Sequence, residues 1–194
     1  AADNLKVVGR AGIGVDNVDI PAATGRGIVV MNTPDGNSIT TAEHTIAMIF
    51  ALAREIPAAN RSTQDGKWEK SRFMGTELTG KTLGIIGCGN IGAIVADRAQ
   101  GLKMRVIAYD PFLSPDRARD LDVEKVELDD LLKRADILPL PVPMTDQTRG
   151  LTHAKAPAKP KPGLRIVNCA PGGPAGDEAL EAAIRRRPSP RAAP

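Results

Sequence analysis

Gly87, Gly89 and Gly92 stand in the run Gly-Cys-Gly-Asn-Ile-Gly, and a carboxylate, Asp110, follows eighteen residues after the last glycine. Three glycines at this spacing occur by chance in glycine-rich chains, so their flanks decide what they mean. Here an apolar run, Leu83-Gly84-Ile85-Ile86, precedes them and a helix-like stretch follows. In that context Gly87 permits a tight turn, Gly89 lets a ligand approach the backbone, and Gly92 lets the helix pack on the strand. The N–H groups at the helix start, at Asn90 and Ile91, together with the positive end of the helix dipole, suit a pyrophosphate. Asp110 ends the run Val106-Ile107-Ala108-Tyr109. There a carboxylate can accept hydrogen bonds from the ribose hydroxyls of a dinucleotide and repel a 2′-phosphate, which favours NAD over NADP. The only basic residue of that run, Arg105, lies at its far end. A plainer role for Asp110, capping the turn before Pro111, stays open.

The elements that must hold these residues follow from hydrophobic spacing. Strands are expected at 82–86, 105–109, 137–142 and 165–169, with helices at 91–102, 128–134 and 177–187. Alternating strands and helices predict an α/β fold, a Rossmann-type doubly wound parallel sheet covered on both faces. Ahead of it, 5–8 and 27–31 read as short buried strands around a glycine-rich turn and a helix at 18–24. Between the two parts, a single long helix is expected from Thr40 to Ala59, opened by a capping box of Thr40 and Glu43. Its apolar residues, Ile46, Met48, Ile49, Phe50 and Leu52, leave no clean polar face, which suggests burial between domains or subunits and hence a homodimer. His44, near the start, reads as a packed or capping histidine. The domain boundary is expected near 36: residues 1–36 form the end of one domain and 37–194 a nucleotide-binding domain.

Composition excludes several classes of function. The net charge is +3, but residues 1–150 carry 18 Lys and Arg against 20 Asp and Glu, while 151–194 carry 8 against 3. The basicity belongs to a tail around Arg185, Arg186, Arg187 and Arg191 with no interleaved aromatic residue, so no nucleic-acid partner is expected. No apolar run is long enough to span a bilayer, and Ala1–Asn4 does not resemble a signal peptide, so no membrane partner is expected. The two cysteines, Cys88 and Cys169, fit neither a disulfide framework nor a metal spacing, and a reducing cytoplasm is the simplest home.

A resemblance sharpens this reading. Gly9-Arg10-Ala11-Gly12-Ile13-Gly14-Val15-Asp16-Asn17-Val18-Asp19, Asn32-Thr33-Pro34, Gly36-Asn37-Ser38, Thr41-Ala42-Glu43, Gly66-Lys67-Trp68 and Phe73 through Thr82 all match one pattern. It resembles the D-isomer-specific 2-hydroxyacid dehydrogenases, the D-3-phosphoglycerate dehydrogenases in particular. The similarity runs almost unbroken from Leu5 to about Asp136 and is patchy to Ile184. The resemblance implies that residues 1–36 end a flavodoxin-like substrate domain. It further implies hydride transfer from 3-phosphoglycerate to NAD at the entry to serine synthesis, with Arg10, Gly12 and Asn37 on the substrate side. Val142, Pro143, Cys169 and Ala170 join the cofactor-binding set on the same ground.

The pattern also breaks. Pro171 occupies the position of the family's catalytic arginine, and proline offers neither a cation nor an N–H. The family's histidine and glutamate have no match here; His153 lies outside the histidine motif. No catalytic residue is therefore assigned, and turnover by this chain alone is not expected. A non-catalytic NAD-binding dimerisation module is the alternative. Pro139, Pro141 and Pro143 would remove successive donors from one sheet ladder, tolerable at an edge but not in the middle. Pro157 and Pro160 fall where the family has a helix. Residues 138–194 are accordingly expected to be altered and of doubtful order.

Overall fold

The computed structural model describes residues 4–15, 17–140 and 160–169. Five parallel strands form the main sheet: β3 (Thr82–Ile86), β4 (Arg105–Tyr109), β5 (Glu124–Lys125), β6 (Ile137–Leu140) and β7 (Arg165–Asn168). Their order across the sheet is β5-β4-β3-β6-β7. The chain winds outward from β3 first to one side and then to the other, so the strand order reverses beside β3. In open α/β sheets that reversal opens a crevice at the carboxyl ends of the strands. All residues of β3 are buried, as a sheet covered on both faces requires.

Helices cover the two faces. Helix α4 (Asn90–Gly101) joins β3 to β4 and buries Gly92, Val95, Ala96 and Ala99. Helix α6 (Leu128–Arg134) packs Leu131 and Leu132 on the other side. Gly84 makes that packing possible: a Cβ there would lie 2.8 Å from the Ala135 methyl and 2.9 Å from Leu131. A short helix α5 (Pro115–Asp120), capped by the Ser114 hydroxyl, leads into β5; neither element is evident from sequence periodicity.

The expected long helix is two helices. Helix α2 runs Ser38–Ala53 and α3 runs Ile56–Gln64, with Glu55 between them at φ 54°. Pro57 explains the break, because its ring has no N–H and collides with the carbonyl four residues back, that of Ala53. The freed Ala53 carbonyl accepts instead from the Thr76 N–H at 2.8 Å. Gly75, at φ +66°, allows this approach, since a Cβ would stand 2.8 Å from the same oxygen. The capping box also fails. Asn37 is the N-cap, so Thr40 lies inside the first turn, where its side chain cannot cap. His44 is exposed on α2, neither packed nor capping. The buried face of α2 is Ser38, Ala42, Thr45, Ile49 and Ala53, laid against α4 and the β6–β7 side of the sheet.

The proline expectation for the sheet is corrected as well. Pro139 is fully buried in β6, a central strand between β3 and β7. All four residues of β6 pair with β7, whereas β3 retains only Leu83↔Ile137. The missing proline donor thus shortens the ladder on the β3 side alone, and packing by Leu138 and Leu140 holds the strand in place. Pro160 lies in coil. Pro141, Pro143, Pro157 and the helix expected at 177–187 lie outside the described residues.

Ahead of this body, β1 (Val7–Gly9) and β2 (Val29–Met31) form a separate two-stranded parallel sheet joined by α1 (Ile20–Gly25). Asp19 caps α1 by accepting from the Ala22 N–H, and Pro21 follows in the first turn. The strands expected to be buried are exposed at both ends and half-buried only at Val8 and Val30, with α1 packed against β2. No helix among the described residues is long and apolar enough to cross a membrane.

Candidate cofactor-binding site

The glycine turn lies at the carboxyl end of β3, beside the strand-order reversal. Gly87 has φ +87°, a conformation that residues with a Cβ rarely adopt. A Cβ on Gly92 would fall well inside contact distance of the Gly87 carbonyl oxygen, so only glycine lets α4 start this close to β3. Gly89, the N-cap of α4, has extended backbone and open space around it, and no side chain caps the helix. The first N–H groups of α4 are left facing outward with the helix dipole behind them, a ready anion site.

Asp110 stands across from that turn at the end of β4. One carboxylate oxygen accepts from the Cys88 N–H at 2.8 Å and the other from the Phe112 N–H at 2.7 Å. Asp110 thus caps the turn at Pro111, the plainer of its two expected roles, and is also locked against the glycine loop. A carboxylate oxygen accepts more than one bond, so room for hydroxyl donors remains. Cys88 turns its side chain into the core, where burial pushes its thiol up and the Asp110 charge adds to the effect. It is a packing residue and a poor nucleophile. Cys169, at the end of β7, packs against the same cluster; both cysteines are free thiols.

The residues expected on the substrate side, Arg10, Gly12 and Asn37, lie in the loop after β1 and at the start of α2. Arg10 bends back and donates to the Gly14 carbonyl, and its guanidinium covers Gly12, whose missing Cβ leaves room for it. The loop is pinned to the next strand by Arg10 N–H to Met31 O (2.9 Å), Thr33 N–H to Gly12 O (3.1 Å) and the Asn32 amide to Ile13 O (2.8 Å). Asn37 is exposed, with its side chain making no capping bond. Asn90 donates through its side chain to Asp35 at 3.0 Å, a carboxylate that sequence reasoning passed over. Its only local signal is a charged residue between Pro34 and Gly36, a common turn composition. Val142, Pro143, His153, Ala170 and Pro171 lie outside the described residues. Among the described residues no cluster of His, Cys, Asp or Glu could hold a metal ion.

A family model described as D-isomer specific 2-hydroxyacid dehydrogenase, NAD binding domain, matches residues 46–193. The chain belongs to that family. Within it, the chain is 52% identical over 185 residues to a D-3-phosphoglycerate dehydrogenase of Archaeoglobus fulgidus, covering 95% of this chain and 35% of the relative. It is 50% identical over 184 residues to the enzyme of that name from Synechocystis, covering 95% of this chain and 33% of that one. The chain thus spans about a third of the length of the curated relatives it matches. Among solved structures, D-lactate dehydrogenase from Aquifex aeolicus, complexed with NAD and lactic acid, superposes with a TM-score of 0.84 at 30% identity. That match covers 94% of this chain and 55% of the solved one. NAD is therefore the cofactor, and the residues of the glycine turn fit it: an uncapped helix start, open space at Gly89, and a carboxylate held in place at Asp110.

Proposed function

We propose that this chain is the NAD-binding part of a D-3-phosphoglycerate dehydrogenase, with the boundary to the substrate side near 36. The observation that carries the reading is the identity of about half to D-3-phosphoglycerate dehydrogenases over 95% of the chain. In this reading Gly87, Gly89, Asn90, Ile91 and Gly92 hold the pyrophosphate, Asp110 takes the adenine ribose, and Val142, Pro143, Cys169 and Ala170 belong to the cofactor-binding set on the strength of the family resemblance. When bound, NAD would supply the hydride acceptor for oxidation of the hydroxyl-bearing carbon of a 2-hydroxy acid. The residues around 9–14 and 37 orient that acid: Arg10 supplies a cation for its carboxylate or phosphate, Gly12 leaves room beside that cation, and the loop backbone around Asn37 faces the acid. Arg10 must first leave the Gly14 carbonyl. Pro171 contributes no charge at the arginine position, so this polypeptide binds cofactor without oxidising substrate by itself.

The exposed apolar residues of α2 and the start of α3, namely Ile39, Met48, Phe50, Leu52 and Ile56, favour a homodimer formed through this helical face. Serine synthesis in the cytoplasm is the setting that fits the proposed substrate. The deciding experiment is a fluorescence titration of the purified chain with NADH, run in parallel with NADPH. Saturable binding with NADH clearly preferred is the expected result; no binding of either by a folded sample would overturn the reading.

A further inference from the structure

We propose that Asp35 sets the affinity for the dinucleotide, because its carboxylate stands beside the anion site that the pyrophosphate uses. The inference rests on the placement of NAD at the glycine turn. Asp35 and Asn90 are far apart in sequence, yet Asp35 Oδ1 accepts from Asn90 Nδ2 at 3.0 Å. Asn90 is the first residue of α4, a twelve-residue helix whose start has no side-chain cap. Asp35 is held there by its own turn, in which the Gly36 N–H bonds to the Thr33 carbonyl and the Ser38 N–H faces the Asp35 carbonyl.

The positive end of α4 attracts any nearby anion. Without dinucleotide, Asp35 enjoys that field and binds the Asn90 amide. A pyrophosphate brings two negative charges to the same helix end and meets the Asp35 charge there. Among the described residues no Lys or Arg forms an ion pair with Asp35, so none of them neutralises its charge by direct pairing. The other carboxylate at the turn, Asp110, is already committed to the Cys88 and Phe112 N–H groups on the opposite side. Asp35 belongs to the segment leading from β2 to α2, so the dinucleotide also competes for a side-chain bond that joins this segment to the nucleotide-binding sheet.

The test uses the full chain carrying Asp35→Asn, which keeps an acceptor for Asn90 and removes the charge, and Asp35→Ala, which removes both. NADH and ADP-ribose are titrated at low salt and at about 1 M salt, where screening acts over about 3 Å. Both variants should bind both ligands about three- to tenfold more tightly at low salt, the range expected for one charge near a surface. High salt should shrink the gain. Unchanged constants in Asp35→Asn, tightening in Asp35→Ala alone, or a gain that salt leaves intact would each overturn the role of the charge while leaving the NAD site standing. Failure of the parent and both variants to bind either ligand, with circular dichroism showing all three folded, would overturn the NAD site and this inference together.

Discussion

The turn at 87–92 follows β3, a strand buried along its whole length, while the loop at 9–14 follows β1, which is exposed at Val7 and Gly9. Both are glycine-rich segments leaving a parallel strand. The first takes its shape from packing: Gly92 against the Gly87 carbonyl, Cys88 in the core, Asp110 tied to the Cys88 N–H. The second takes its shape from a few backbone bonds to Met31, Thr33 and Asn32, with Arg10 folded over it. Rigidity at a site comes from what lies beneath the loop, and among the described residues only one of the two loops has a core beneath it.

Substitutions can break or sharpen that contrast. The largest difference is expected between Ile85→Ala and Val29→Ala. Ile85 is completely buried, so its truncation should cost about 2–5 kcal/mol in a denaturant titration. Val29 is 55% exposed, and its truncation should stay within about 0.5 kcal/mol. Equal losses would mean that β1–β2 is packed as tightly as the main sheet.

Gly92→Ala comes next. The added methyl must push α4 off the Gly87 carbonyl, with about 1–3 kcal/mol of stability lost and NADH binding reduced below detection. Gly9→Ala, where a Cβ meets nothing within 4 Å, should leave both readouts near those of the parent. An intact NADH titration in Gly92→Ala would remove the glycine turn from the cofactor site. A smaller effect is expected for Asp110→Asn. Loss of the charge should weaken NADH by about tenfold, in line with a hydrogen bond to an ionised group, and narrow the gap to NADPH.

The smallest effect concerns pH. Burial alone would raise Asp136, but the Lys161 ammonium at 2.7 Å and the Thr82 N–H outweigh it and hold its carboxyl below the usual range. A folded-state value depressed in this way stabilises the protein fully above the unfolded value of about 3.9, and the contribution is lost as pH falls through the lower folded value. Asp136→Asn should therefore lower Tm near neutrality, and its difference from the parent should close in acid. A difference constant from pH 7 to pH 2.5 would mean that the ion pair contributes nothing.

Much of the cofactor side was legible in sequence because its rules are local. Gly87 must turn, Gly89 must stay open and Gly92 must be small within one strand–turn–helix unit, and Asp110 closes the next strand. The substrate side was less legible. Nothing in the sequence signals that the Arg10 guanidinium donates to the carbonyl of its own loop at Gly14. Pro57 was visible in the sequence, yet the apolar periodicity of 46–52 concealed its effect; the steric clash with the preceding turn outweighs a pattern that only says which faces are apolar.

The residues by themselves determined the strand–turn–helix alternation, the glycine turn and the carboxylate after β4, since each depends on backbone freedom and hydrophobic spacing within a few residues. Only the tertiary structure decided that Pro139 is accommodated in a central strand, that the Ala53 carbonyl is taken over by Thr76, and that Asp35 reaches Asn90. Each of these depends on which distant segment lies alongside, because a backbone group left without a partner in its own element has to find one elsewhere in the fold or in water.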